Sequence, residues 1–138
     1  MTQMQLLRPE GLVRSPAFTH VAIVPPGATT VYVGGQNAVT ADGTLVGGDD
    51  AAEQTRQVMA NLHVALAAAG ATVHDLVALT ILFVDGVDLS VAYPAAAEGL
   101  AGAAPTVVAV RVAGLGVPGA LLEVSAVAAL GPAGQDGA

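Results

Sequence analysis

Leu76-Val77-Ala78-Leu79-Thr80-Ile81-Leu82-Phe83-Val84 contains no charge, no proline and no glycine, and its reading decides the fold. A continuous apolar run of this length has the pattern of a strand buried on both sides. Upstream, Thr55, Val58, Met59, Leu62, Leu66 and Ala69 recur at spacings of three and four. That period predicts a helix laying one apolar stripe on a sheet. Asp50-Ala51-Ala52-Glu53 has the spacing of an N-terminal capping box, which starts the helix near Asp49 or Asp50, and Gly70 supplies its stop. Downstream, Asp88 to Leu100 predicts a weaker, alanine-rich helix, with Pro94 in its first turn if the helix starts late.

Working outward, Val21 to Val24, Pro25-Pro26-Gly27 and Thr30 to Gly35 read as a β-hairpin. Thr106 to Val112 and Ala120 to Leu130 read as two further strands, separated by Gly114 to Gly119. Strands alternating with two helices predict an α+β fold, a mixed β-sheet with both helices packed on one face and the other face needing cover. One domain is expected over residues 1–138, with a core at about 11–130 and a flexible tail at 131–138.

Composition narrows the chemistry. There is no cysteine and no lysine, so thiolate nucleophiles, Schiff-base lysines, zinc–cysteine sites and disulfides are excluded. Four arginines, eleven carboxylates, three histidines and two tyrosines must supply every charge and proton. A formal charge of −7 leaves no basic stripe for a phosphate backbone, so nucleic acid is not an expected partner. No apolar run reaches the roughly 18 residues of a membrane span, and Met1 to Leu12 lacks the apolar core of a signal peptide. Cytoplasmic residence is therefore expected, and so much small apolar surface predicts an oligomer.

Among candidate site residues, Glu123 stands in an otherwise apolar strand, with Ser125 and Val127 on its face if alternation is regular. It calls for a role in a cleft or a partner, for which Arg111 is the alternative. His20, close to Phe18, is either a proton-transfer group or a packing residue. The histidines 20, 63 and 74 lack metal-ligand spacing, and nothing calls for a metal or a cofactor. Gly34-Gly35-Gln36-Asn37 lacks the lysine of a phosphate loop, so close backbone packing is expected, with the Asn37 amide available to a ligand. Tyr93 either donates into a cleft or anchors the second helix on the sheet.

The order of hairpin, Gly34-Gly35-Gln36, capped helix, apolar strand and second helix ends in Ala113-Gly114-Leu115, Pro118-Gly119 and Leu122-Glu123-Val124. Over residues 11–130 that order resembles the RidA/YjgF (reactive intermediate deaminase) family. The resemblance implies a homotrimer with a barrel-like core and a ligand cleft between neighbouring subunits. It also implies hydrolysis of imines or enamines to a ketone and ammonia. In such a cleft Glu123 matches the water-positioning glutamate and Gly35 the pocket glycine. The substrate-carboxylate arginine falls on Val107, the pocket tyrosine on Phe18 and a pocket asparagine on Tyr93. Valine cannot pair with a carboxylate, and an unpaired anion in a cleft costs several kcal/mol. The implied substrate is a small imine, enamine or carbonyl lacking a carboxylate. The alternative is a non-catalytic trimer that binds a small metabolite. Arg111 is a further candidate for the missing arginine, since it has the parity of Val107.

Overall fold

The computed structural model describes residues 3–132. The apolar run forms strand β4, Leu76–Val84, inside a four-stranded sheet. Before it come β1 (Gln5–Leu7), β2 (Val21–Ile23), β3 (Thr29–Gln36) and helix α1 (Ala51–Ala68). After it come α2 (Leu89–Leu100), β5 (Thr106–Val112) and β6 (Leu122–Leu130). The sheet order is β3-β6-β4-β5. Only β4 and β5 run parallel, because α2 carries the chain back across the sheet between them. Both helices lie on one face, which is the expected α+β architecture.

Under the helices, Leu76, Leu79, Ile81 and Phe83 of β4 are buried, as are Leu122, Val124 and Ala126 of β6. Helix α1 sets Val58, Met59, Leu62 and Leu66 against them, and α2 adds Ala92 and Leu100. The helices touch at Gly99, where an added Cβ would lie 2.6 Å from the Cβ of Met59. Beside it the His63 ring meets the Gly99 carbonyl at 2.6 Å. The opposite sheet face stays open: Tyr32 is 80% exposed, Val108 59% and Val110 43%. Within one copy, therefore, β4 is fully buried on its helix side only.

Three expectations change. Val21–Ile23 does not form a hairpin with β3 but pairs antiparallel with Gln5–Leu7 in a separate two-stranded sheet. Pro25 and Pro26 bring no N–H to a ladder, and the chain turns there through a bond from Ala28 N to Pro25 O. Pro94 is not in the first turn: α2 begins at Leu89 on an Asp88 cap, which leaves Pro94 in the interior. The Asp50 box is half made. Asp50 accepts from Glu53 N, whereas the Glu53 carboxylate turns to Arg56. A complete box instead holds the short 3-10 turn Val73–Asp75, between Thr72 and Asp75. Of the predicted tail, residues 133–138 lie outside those described.

Candidate functional site between sheet and second helix

Glu123 follows Leu122 into β6 and pairs across the ladder with Leu82, which pairs in turn with Val110. Directly opposed residues share a face, so Glu123 looks out on the open side of the sheet. Between the pairs Val33–Ala126 and Gln36–Val124, two residues of β3, Gly34 and Gly35, stand against the single Ser125. This is a β-bulge, and it brings the backbone of β3 towards the glutamate. A Cβ at Gly35 would lie 2.8 Å from both Cδ and Oε2 of Glu123. Gly35 does not have a positive φ, so glycine serves the placement of the carboxylate there and not the backbone angle.

Among the described residues the one ion pair is Arg56–Glu53, and no buried side-chain polar atom lacks a hydrogen-bond partner. The Glu123 carboxylate, which has no such partner among the described residues, is thus reached by solvent. Its strand entry is held by Gln54, a fully buried residue of α1. Gln54 donates to Gly48 O at 2.7 Å and Gly119 O at 3.0 Å, and its Oε1 accepts from Leu121 N at 2.9 Å. Two residues beyond that clamp the chain reaches Glu123.

Val107 lies on the other side of the sheet. It pairs with Leu79, which pairs with Ala126, all under the helices. Here a cavity of about 630 Å³ opens between β4, β5, α2 and residues 16–18. Phe18, Tyr93 and Val107 all line it. Phe18 is fixed because Thr19 donates from its N–H to Pro105 O (3.1 Å) and from its hydroxyl to Ala104 O (3.0 Å). Tyr93 packs edge-on against Phe83, with centroids 5.6 Å apart, so it both anchors α2 and fronts the cavity.

Three candidates fall elsewhere. The amide of Asn37 is buried and donates to Leu122 O at 3.2 Å, while its backbone carbonyl accepts from Asn61. It ties β3 to β6, and its amide is not turned towards a ligand. Arg111 opposes Phe83, on the face away from Glu123, so the two form no ion pair. Its guanidinium donates to Val87 O at 3.1 Å, outside the cavity lining. His20 meets Val13 O at 2.6 Å and packs edge-on against Phe18, centroids 5.4 Å apart, which makes it a brace for the cavity wall. The structure thus gathers Phe18, Tyr93 and Val107 on one side of the sheet and Gly35 with Glu123 on the other. Gln54 escaped notice in the sequence although its four-residue spacing from Val58 and Leu62 puts a polar group on the buried stripe.

No group of three or more histidines and carboxylates is placed to hold a metal among the described residues. No helix is long and apolar enough to cross a membrane.

Against known proteins, the model of the family described as Endoribonuclease L-PSP matches residues 15–130. Among solved structures, YyfB of the Rid protein family from Yersinia pestis is 34% identical, covering 92% of this chain and 98% of its own, with a TM-score of 0.81. A protein from Entamoeba histolytica named for the endoribonuclease L-PSP family is 30% identical over 93% of this chain and 100% of its own, TM-score 0.68. A YjgF-family member from Mycobacterium tuberculosis is 26% identical over 93% and 100%, TM-score 0.60. No curated protein matches the chain.

Proposed function

The chain belongs to the Rid (YjgF) family, whose model is described as Endoribonuclease L-PSP, and we propose that it is a small-molecule hydrolase acting on imines or enamines without a carboxylate. The observation that carries this reading is the solvent-reached Glu123 carboxylate lying against Gly35, where a Cβ would stand 2.8 Å away. A carboxylate reached by solvent and without a protein partner is free to accept a proton from a water held against it. Glu123 takes a proton from that water as its oxygen adds to the imine carbon. That proton passes to nitrogen to give a carbinolamine. The carbinolamine's hydroxyl proton then moves by way of the same carboxylate to nitrogen as the C–N bond breaks, so that ammonia leaves and the C=O bond of the ketone forms.

Val107 supports the restriction to substrates lacking a carboxylate, because a bidentate arginine is absent from the position that would hold one. Glu123 and Val107 face opposite sides of one sheet, and the proposed homotrimer would bring them together in a cleft between neighbouring copies. Covering the exposed Tyr32, Val108 and Val110 by another copy gives that assembly its apolar driving force. Residence in the cytoplasm accords with this chemistry. Ribonuclease activity does not fit a net charge of −7 with four arginines.

The test is hydrolysis of a freshly generated neutral imine. Glu123→Gln should lower turnover by about 100-fold or more with the oligomer intact. An unchanged rate removes Glu123 from the mechanism. A second reading, a trimer that binds a small metabolite without turnover, is favoured by the apolar lining around Val107. Saturable binding by calorimetry, with no product from either imine class, selects it.

A further inference from the structure

The cavity beside Val107 is large for a reaction that needs only an imine carbon and a water. Its volume, about 630 Å³, is room for on the order of 20 waters. Its walls offer those waters almost nothing. Phe18, Leu79, Ile81, Leu100 and Val107 are apolar, no charged residue lines it, and the Tyr93 hydroxyl is its one side-chain hydrogen-bonding group. Water in such a space gives up hydrogen bonds, so an apolar group that displaces it is favoured.

We propose that this cavity binds a neutral, bulky hydrophobic group, an aromatic or branched aliphatic one, joined to a single carbonyl- or imine-type acceptor that Tyr93 can meet. The inference rests on the imine-hydrolase reading for its acceptor but not for its hydrophobic group. Three features define the class. An anion placed here loses its hydration with no cation to replace it, because Arg111 is turned to Val87 O. Small polar substrates leave most of the volume to poorly bonded water. An aromatic ring finds Phe18 held edge-on by His20, and His20 held by Val13 O, so the wall is already in place before binding.

Phenylacetone and phenylpyruvate share a ring and a ketone and differ in a carboxylate, which makes them a matched pair of probes. Titrated by calorimetry against the full chain, phenylacetone should bind saturably and at least about tenfold more tightly than phenylpyruvate. Ala97→Trp fills the cavity from an exposed position on α2 and should abolish that binding, while Val107→Arg should reverse the preference. No saturable binding of phenylacetone, equal binding of both ketones, or binding unaffected by Ala97→Trp overturns the proposal. Binding as expected without hydrolysis of the corresponding imine leaves the cavity assignment standing and removes the hydrolase reading. Hydrolysis of imines by a protein that binds neither ketone does the reverse.

Discussion

The Glu123 carboxylate occupies the space that a side chain at residue 35 would need, with Cδ and Oε2 each 2.8 Å from where a Cβ at Gly35 would stand. The two residues therefore form a geometric unit, one supplying the carboxylate and the other its room. Gly35→Ala separates catalytic from structural roles. The carboxylate is the end of a flexible side chain and can swing away, and alanine in an extended strand restricts the unfolded chain. Stability should stay level or rise by up to about 1 kcal/mol. On the proposed mechanism, imine turnover should fall at least about tenfold as the carboxylate is displaced. Denaturant unfolding and a rate assay on one preparation check both, and a folded, fully active variant rules out the geometric coupling.

Gln54 makes three hydrogen bonds to backbone groups from a fully buried position. Gln54→Leu keeps the volume and strands those groups, at about 1–3 kcal/mol for each one left unsatisfied. A midpoint shift corresponding to roughly 3 kcal/mol is expected. Loosening the entry to β6 should also lower kcat more than it raises KM. A kcat equal to wild type in the folded variant shows that the clamp serves stability alone.

Glycine in a helix interior ordinarily costs about 1 kcal/mol relative to alanine. Gly99→Ala should nevertheless destabilise, because its Cβ would meet Met59 at 2.6 Å, and overpacking costs about 1–3 kcal/mol. Combining it with Met59→Gly, which removes the Cβ itself, relieves that clash. A double-mutant cycle with a favourable coupling between the two changes is the expected result.

Asp88 caps α2 and accepts from the Ser90 hydroxyl and backbone N–H, and chiefly that hydroxyl lowers its pKa below the ordinary 3.8. Asp42 is lowered likewise, first by Thr40 and then by Thr44. A depressed carboxylate contributes stability above its unfolded pKa and loses it as pH falls through the folded value. Unfolding followed from about pH 5 downwards should show stability declining below about pH 4. Ser90→Ala should make that decline shallower, and an identical acid limb sets the Asp88 contact aside.

Strands β4 and β5 and helix α1 were legible because long apolar runs and a 3.6-residue period carry their own signal. Strands of three residues carry none, so β1 was invisible and β2 was assigned to the wrong partner. Pro94 misled for a related reason: the Asp88 cap sets the start of α2 regardless of where the proline falls. Glu123 and Gly35 could be placed through the family resemblance. Their contact could not, since it depends on a bulge in β3 against β6. The cavity draws its walls from residues 16–18, from Leu79 and Ile81, and from side chains scattered between Tyr93 and Ala109, and only the folded arrangement brings those together. Asn37 shows the opposite error, a polar side chain near a glycine pair that serves a buried backbone carbonyl.

Because β6 points Glu123 one way and β5 points Val107 the other, two different defects can be carried by two different chains. In the proposed homotrimer, protomers bearing only Glu123→Gln and protomers bearing only the cavity-filling Ala97→Trp, co-refolded, should produce some clefts that draw an intact half from each parent. Two inactive proteins then give a mixture with measurable turnover, a rescue that no arrangement confined to a single chain can deliver.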